Sequence, residues 1–219
     1  RLDVEGLYVT APGSPIMVIN DARFSLKAGD ACGVIGPSGA GKSSLGKALI
    51  GIWPTVQGHV RLDGSALDQW AEAIRGRYVG YLPQTVELLE GTVAQNISRF
   101  DPDGQINPEA MSERVIAAAR TAGVHDLIIG LPQGYDTPVG PGGETLPGGQ
   151  CQRIGLARAL FGDPFLVVLD EPNSNLDAEG DKALEGAILA IRARGGIAIV
   201  ISHRPGVIEQ TSHAMIMRG

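Results

Sequence analysis

With 219 residues, 43% of them hydrophobic, the chain can hold one large folded domain or two lobes sharing a core. Eighteen Lys and Arg against twenty-four Asp and Glu give a net charge of −6, which argues against duplex nucleic acid as a partner. Cys32 and Cys151 lie far apart with no Cys or His at metal-ligand spacing, and no run approaches the roughly eighteen apolar residues of a membrane span, which excludes a disulfide framework, a zinc site and a spanning segment.

In chain order, Leu2–Val9, Arg23–Leu26 and Val60–Leu62 are separated by turn-rich segments and predict an antiparallel β portion in the opening third. Cys32–Ile35, Val79–Leu82, Leu166–Leu169 and Ile197–Ile201 are compact apolar runs, the pattern of strands buried on both faces of a mostly parallel sheet. Helical patterns alternate with them at Ser43–Ile50 and Ala178–Arg194, as in an α/β layered fold. Pro108–Ala122 carries apolar residues at helical spacing and Val124–Ile129 continues the pattern, so the stretch from Gln84 to Gly143 predicts a small helical lobe inserted into the core. The expected organisation is one domain over 1–219, with core and β portion at 1–84 and 144–219 and the lobe at about 85–143. Ala214–Met217 reads as a last strand. No basic-then-apolar leader opens the chain, and a reducing, cytosolic setting is expected. Because the chain opens on Arg1 rather than Met, it is expected to be a domain of a longer polypeptide.

Two segments carry chemistry. Gly36-Pro-Ser-Gly-Ala-Gly-Lys-Ser43 matches G-x-x-x-x-G-K-[ST] between an apolar run and a helix-forming segment. Its small residues, Gly36, Pro37, Ser38, Gly39, Ala40 and Gly41, let the backbone N–H groups from Gly39 to Ser44 curl around a polyphosphate at a helix N-terminus. Lys42 supplies a cation for the β- and γ-phosphates, and the Ser43 hydroxyl can join a Mg²⁺ shell, so ATP and Mg²⁺ are the expected ligands. The second segment, Phe165-Leu-Val-Val-Leu-Asp170-Glu171-Pro172, is an apolar run ending in two carboxylates. Alternation at the strand end gives them separate tasks, Asp170 toward Mg²⁺ and Glu171 toward the water that attacks the γ-phosphate.

Further along, Leu146-Pro-Gly-Gly-Gln-Cys-Gln-Arg153 resembles the Leu-Ser-Gly-Gly-Gln signature of the ABC transporter nucleotide-binding domains. Gln84 in Tyr81-Leu-Pro-Gln84 resembles that family's Q-loop, Ser174-Asn-Leu-Asp177 its D-loop, and His203 in Ile201-Ser-His203-Arg its switch histidine, all in the family's order. The resemblance covers nearly the whole chain and implies an ATP-sandwich homodimer, with one subunit's phosphate loop facing Gly148, Gly149 and Gln150 of the other. It implies that His203 meets the γ-phosphate, that Gln84 touches Mg²⁺ and senses a transmembrane domain, and that Asp177 belongs to the nucleotide site. Asn173-Ser-Asn-Leu-Asp177, Gly51-Ile-Trp-Pro54 and Val60-Arg-Leu-Asp-Gly64 look like the bacterial type I secretion exporters, in which membrane helices precede the ATPase on the same chain. That likeness implies the cytoplasmic face of the bacterial inner membrane, a periplasmic adaptor and an outer-membrane channel, and no nucleic acid.

The sequence departs from the family pattern at four places. Pro147 replaces the signature serine, Cys151 the basic residue that often follows Gln150, and Pro141 the glutamate of an exporter loop in Thr137-Pro-Val-Gly-Pro141. The adenine-stacking aromatic would fall near Ala11, with Tyr8 the closest ring. Alternatives that remain open are a nucleotide-gated, weakly hydrolysing regulatory module, a soluble ABC ATPase and an importer subunit.

Overall fold

The computed structural model describes residues 1–102, 106–202 and 208–218. Nine-residue β1 (Leu2–Thr10) pairs antiparallel with β2 (Met17–Leu26) and with β4 (Gln57–Leu62), and β5 (Ser65–Ala66) completes a sheet in the order β2-β1-β4-β5. The second sheet is parallel, in the order β11-β3-β10-β9-β6, from β3 (Ala31–Ile35), β6 (Val79–Leu82), β9 (Leu166–Asp170), β10 (Ile197–Ile201) and β11 (His213–Ile216), while β7 (Gly91–Thr92) and β8 (Pro138–Val139) form a separate antiparallel pair. An antiparallel sheet beside a parallel one with helices is the layered arrangement expected from the sequence.

The unbroken apolar runs follow from burial on both faces. Leu166 and Val168 of β9 join the core that faces the antiparallel sheet, while Val167 and Leu169 join the opposite core; Ile197, Ile199 and Ile201 of β10 likewise part from Ala198 and Val200. The first core holds helix α1 (Lys42–Leu49) between the two sheets through Leu45, Ala48 and Leu49, all nearly or fully buried. Burying a leucine side chain contributes roughly 1.5–3 kcal/mol, so α1 and the loop that starts it are held from the hydrophobic side.

The second core collects five more helices: α3 (Val93–Ile97), α4 (Pro108–Thr121), α5 (His125–Ile129), α6 (Gly148–Leu160) and α7 (Ala178–Ala193). The apolar pattern over 108–129 is two helices. Gly123 adopts φ 64 after α4, its N–H and that of Val124 close on Arg120 and Ala119 carbonyls, and α5 starts afresh. Helix α2 (Glu72–Tyr78) has no buried residue, and so no apolar stripe announces it. None of the described helices is long and apolar enough to cross a membrane.

Candidate functional site

The carboxyl ends of β3, β10 and β9 lie side by side, with Ile201 opposite both Val34 and Asp170. This register brings the segment after β3 and the acids ending β9 to one rim of the sheet, where open parallel sheets bind ligands. The crest Pro37, Ser38 and Gly39 is exposed, whereas Ala40 is buried beneath it. Gly41 caps α1 in the left-handed region at φ 85, and a Cβ there would lie 2.7 Å from the Val18 carbonyl of β2. Glycine is required twice over, for the backbone angle and for the close approach. α1 has no side-chain cap at its N-terminus, which leaves its first N–H groups open at the positive end of the helix dipole, where anions are favoured. Ser44 is the third residue of that helix and is half-buried.

Lys42 Nζ donates to the carbonyls of Gly36 and Pro37, both at 2.9 Å, so the ammonium sits over the loop it belongs to. Ser43 Oγ donates to Asp170 Oδ1 at 3.0 Å. Asp170 is 1% exposed; burial raises its pKa, the Ser43 hydrogen bond opposes that rise, and nearby Glu171 adds to it, while Lys47 and Lys42 pull the other way. Tyr81 of β6 places its phenol against the same carboxylate, and burial, then Asp170, push the phenol pKa up. The hydroxyl and carboxylate oxygens suit Mg²⁺, which favours hard oxygen ligands, and no cluster of three His, Cys, Asp or Glu suited to a metal occurs among the described residues. Two protein oxygens hold such an ion only together with phosphate and water.

Glu171 leaves β9 at φ 47, with its N–H donating to Ile201 O at 2.8 Å. A left-handed turn, rather than strand alternation, therefore redirects the second carboxylate, and such a φ is strained for a non-glycine residue. The following loop is pinned: Gln152 Nε2 donates to Pro172 O at 3.1 Å, and Ser202 Oγ donates to buried Asn173 Oδ1 at 3.3 Å. His203, one residue on, lies outside the described residues.

Helix α6 begins after Pro147, which has φ −57 and ψ 146 and offers no side-chain cap; its carbonyl accepts from Gln150 and Cys151 N–H at 2.9 and 3.1 Å. Gly148 is exposed and a Cβ on it would meet nothing, but a Cβ on Gly149 would lie 2.9 Å from Asn175 O. Asp177 caps α7 by accepting from Gly180 N–H at 2.8 Å and from Arg153 at 2.6 Å; the Gly180 bond first and Arg153 second hold its pKa below the carboxylate range. Arg153 thus ties α6 to the Asp177 loop, a link the sequence pattern did not reveal because twenty-four residues separate the partners.

Gln84 is exposed and borders a cavity of about 280 Å³ with Gly143, Gly148, Gln152 and Asn175. Gly149, Gln150 and Asp177 border a second, of about 250 Å³. Neither cavity is lined by any residue of the 36–44 loop. The structure therefore brings Lys42, Ser43 and Asp170 together, while Gly148, Gly149 and Gln150 border cavities shared with Gln84, Asn175 and Asp177.

A family model described as ABC transporter matches residues 19–174. The type I secretion system ATP-binding protein PrsD of Rhizobium meliloti (strain 1021) is 57% identical over 217 residues, covering 99% of this chain and 36% of that protein. The ATP-dependent lipid A-core flippase of Pseudomonas fluorescens (strain Pf0-1) is 36% identical over 217 residues, covering 99% of this chain and 35% of the flippase. Among solved structures, a bacterial Atm1-family ABC exporter with ATP bound superposes with a TM-score of 0.86 at 28% identity, over 99% of this chain and 37% of that one. The chain spans about a third of the length of the relatives it matches.

Proposed function

Because this chain belongs to the ABC transporter family, as its ATP-binding domain, we propose that it is the ATP-hydrolysing motor of a membrane exporter, of the type I protein secretion kind. The observation that carries the reading is the meeting of Ser43 and Asp170 at 3.0 Å beneath a glycine-capped helix N-terminus. In this proposal, residues 36–44 receive the polyphosphate of ATP, and Lys42 exchanges its two loop carbonyls for phosphate oxygens. Ser43 and Asp170 hold Mg²⁺ with the nucleotide, and Gln84 reaches that site as the domain closes. When bound, Mg²⁺ neutralises the phosphate charge and aligns the β- and γ-groups. Glu171 polarises the attacking water, with His203 placing it against the γ-phosphate.

The site is completed by a second copy. Gly148, Gly149 and Gln150 open α6, which has no side-chain cap, and this supports their use in trans, where those amides offer the partner's γ-phosphate a second helix terminus. Asp177, held by Gly180 and Arg153, fixes the loop that approaches the same interface. The core at 1–84 and 144–219 then carries the nucleotide while the helices of 85–143 form the lobe that meets a transmembrane domain on the same polypeptide, at the cytoplasmic face of the bacterial inner membrane. The likeness to PrsD, a type I secretion system ATP-binding protein, extends the proposal to a periplasmic adaptor and an outer-membrane channel.

The test is ATP turnover per chain across a dilution series, with nucleotide affinity measured separately. Turnover should rise with protein concentration while monomer affinity stays constant, and Lys42→Ala should lose nucleotide binding. Turnover that stays flat in protein shown to be monomeric refutes the shared site.

A further inference from the structure

Tyr81 stands on β6 in register with Val168 of β9, two residues before Asp170. Side chains of in-register residues leave a parallel sheet on one face, and so do residues two apart on a strand, so Tyr81, Val168 and Asp170 share a face. That face is the one α1 covers: Val168 and Ile201 side-chain carbons come within 3.3 and 3.0 Å of where a Cβ on Gly46 would lie. Tyr81 therefore packs in the same layer as the helix whose second residue, Ser43, bonds Asp170.

The Tyr81 phenol oxygen is fully buried, and no group meets it in ordinary hydrogen-bond geometry. A buried hydroxyl without a partner is a cost that phenylalanine, of nearly the same shape, would avoid. The polar group on the same face of the sheet is Asp170, two residues along β9 from the residue paired with Tyr81 and near enough for its charge to act on the phenol. One oxygen of that carboxylate already accepts the Ser43 hydroxyl, which leaves the other for a second donor. The phenol is a donor of the right kind, held by a strand rather than a loop.

The geometry points to Tyr81 as a positioning residue for the metal–phosphate site: its O–H donates to the Asp170 oxygen that Ser43 leaves open and fixes the carboxylate plane toward the metal. The role rests on the nucleotide site proposed above, and it acts through Asp170 without touching the nucleotide. A fixed carboxylate matters because Asp170 and Ser43 are the protein oxygens that meet at the proposed metal site, so misalignment of one is felt directly.

The experiment follows a fluorescent ATP analogue binding to the domain, first with chelator and then against rising Mg²⁺, in the parent, Tyr81→Phe, Asp170→Asn and Lys42→Ala. Tyr81→Phe should keep its metal-free nucleotide affinity and its melting temperature, or gain slightly in the latter, while the Mg²⁺ concentration for half-maximal enhancement rises about tenfold, the effect of losing one hydrogen bond to a charged group. Asp170→Asn should shift the same midpoint further. An unchanged midpoint in Tyr81→Phe, with Asp170→Asn shifted, overturns the role of Tyr81 and leaves the nucleotide site standing. A fall in melting temperature together with lost metal-free affinity marks Tyr81 as merely structural and also overturns it. If neither Lys42→Ala nor Asp170→Asn alters binding, the nucleotide site itself is wrong and Tyr81 falls with it.

Discussion

Replacing Pro147 by serine separates folding from function at the start of α6. The residue sits at the helix cap with φ −57 and ψ 146, angles a serine cap adopts without strain, and it is exposed. A serine oxygen there can accept from the Gly149 or Gln150 N–H, a gain of about 1 kcal/mol. Losing proline frees the unfolded chain and costs about 0.4–1 kcal/mol. The two nearly cancel, and for a domain of 219 residues a residual of a few tenths of a kcal/mol moves the melting temperature by about 1 °C or less. The hydroxyl proton remains available while its oxygen accepts the cap bond, so across the proposed dimer it can donate to the partner's γ-phosphate. A hydrogen bond to a charged group contributes about 1.5–3 kcal/mol, or roughly ten- to a hundredfold in turnover or closed-dimer affinity. Pro147→Ser should therefore raise ATPase activity at fixed protein concentration with little change in stability or monomer nucleotide affinity. The assay is turnover per chain over a dilution series, well below both melting temperatures. An unchanged or lower rate would show that the Gly148 and Gly149 amides suffice and that the missing hydroxyl has no consequence.

Glu171→Gln should keep nucleotide affinity, lower turnover by more than about a hundredfold and trap an ATP-bound dimer visible by size-exclusion chromatography; retention of most of the parent rate would move the water-polarising role elsewhere. Arg99→Met should destabilise the domain by about 2–3 kcal/mol in denaturant titration, because the guanidinium donates to the carbonyls of Gly76, Arg158, Ala159 and Phe161 and its loss strands them. For Asp170 the folded pKa lies above the unfolded one, so the folded state holds the proton more tightly, and the stability this contributes below the unfolded pKa is lost as pH rises through the folded value. Asp170→Asn should accordingly raise the melting temperature of the nucleotide-free domain more at pH 7 than at pH 4, and an equal shift at both would refute the buried charge.

Much of the core was legible because its chemistry is local. The phosphate loop is eight consecutive residues, and β6 and β10 coincide with the apolar runs that predicted them. β2 was read only over Arg23–Leu26 but begins at Met17, since Asn20 and Asp21, the latter at φ 51, break the pattern where the register with β1 shifts. α2 carried no signal because it buries nothing, and α6 carried none of its own because nine of its thirteen residues are buried all round, which erases an amphipathic stripe. The same double burial hides Tyr81: in a run without polar alternation the sequence cannot say which face a residue takes, and only the register of β6 against β9 sets the phenol beside Asp170.

That division between local and non-local information also bears on why the site is proposed to be shared. Each of the two helix starts, Gly41 before Lys42 and Pro147 before Gly148, lacks a side-chain cap, and each is preceded or followed by exposed small residues. An uncapped N-terminus leaves donors for water or an anion, and one helix end with one lysine compensates a triphosphate only in part. The second uncapped terminus belongs to the helix that Arg153 ties to Asp177, and Gly149 leaves no room for a side chain beside the Asn175 carbonyl. In the proposed dimer this helix start is the donor set offered to the other chain's phosphate, and the concentration dependence of turnover is the measurement that decides it.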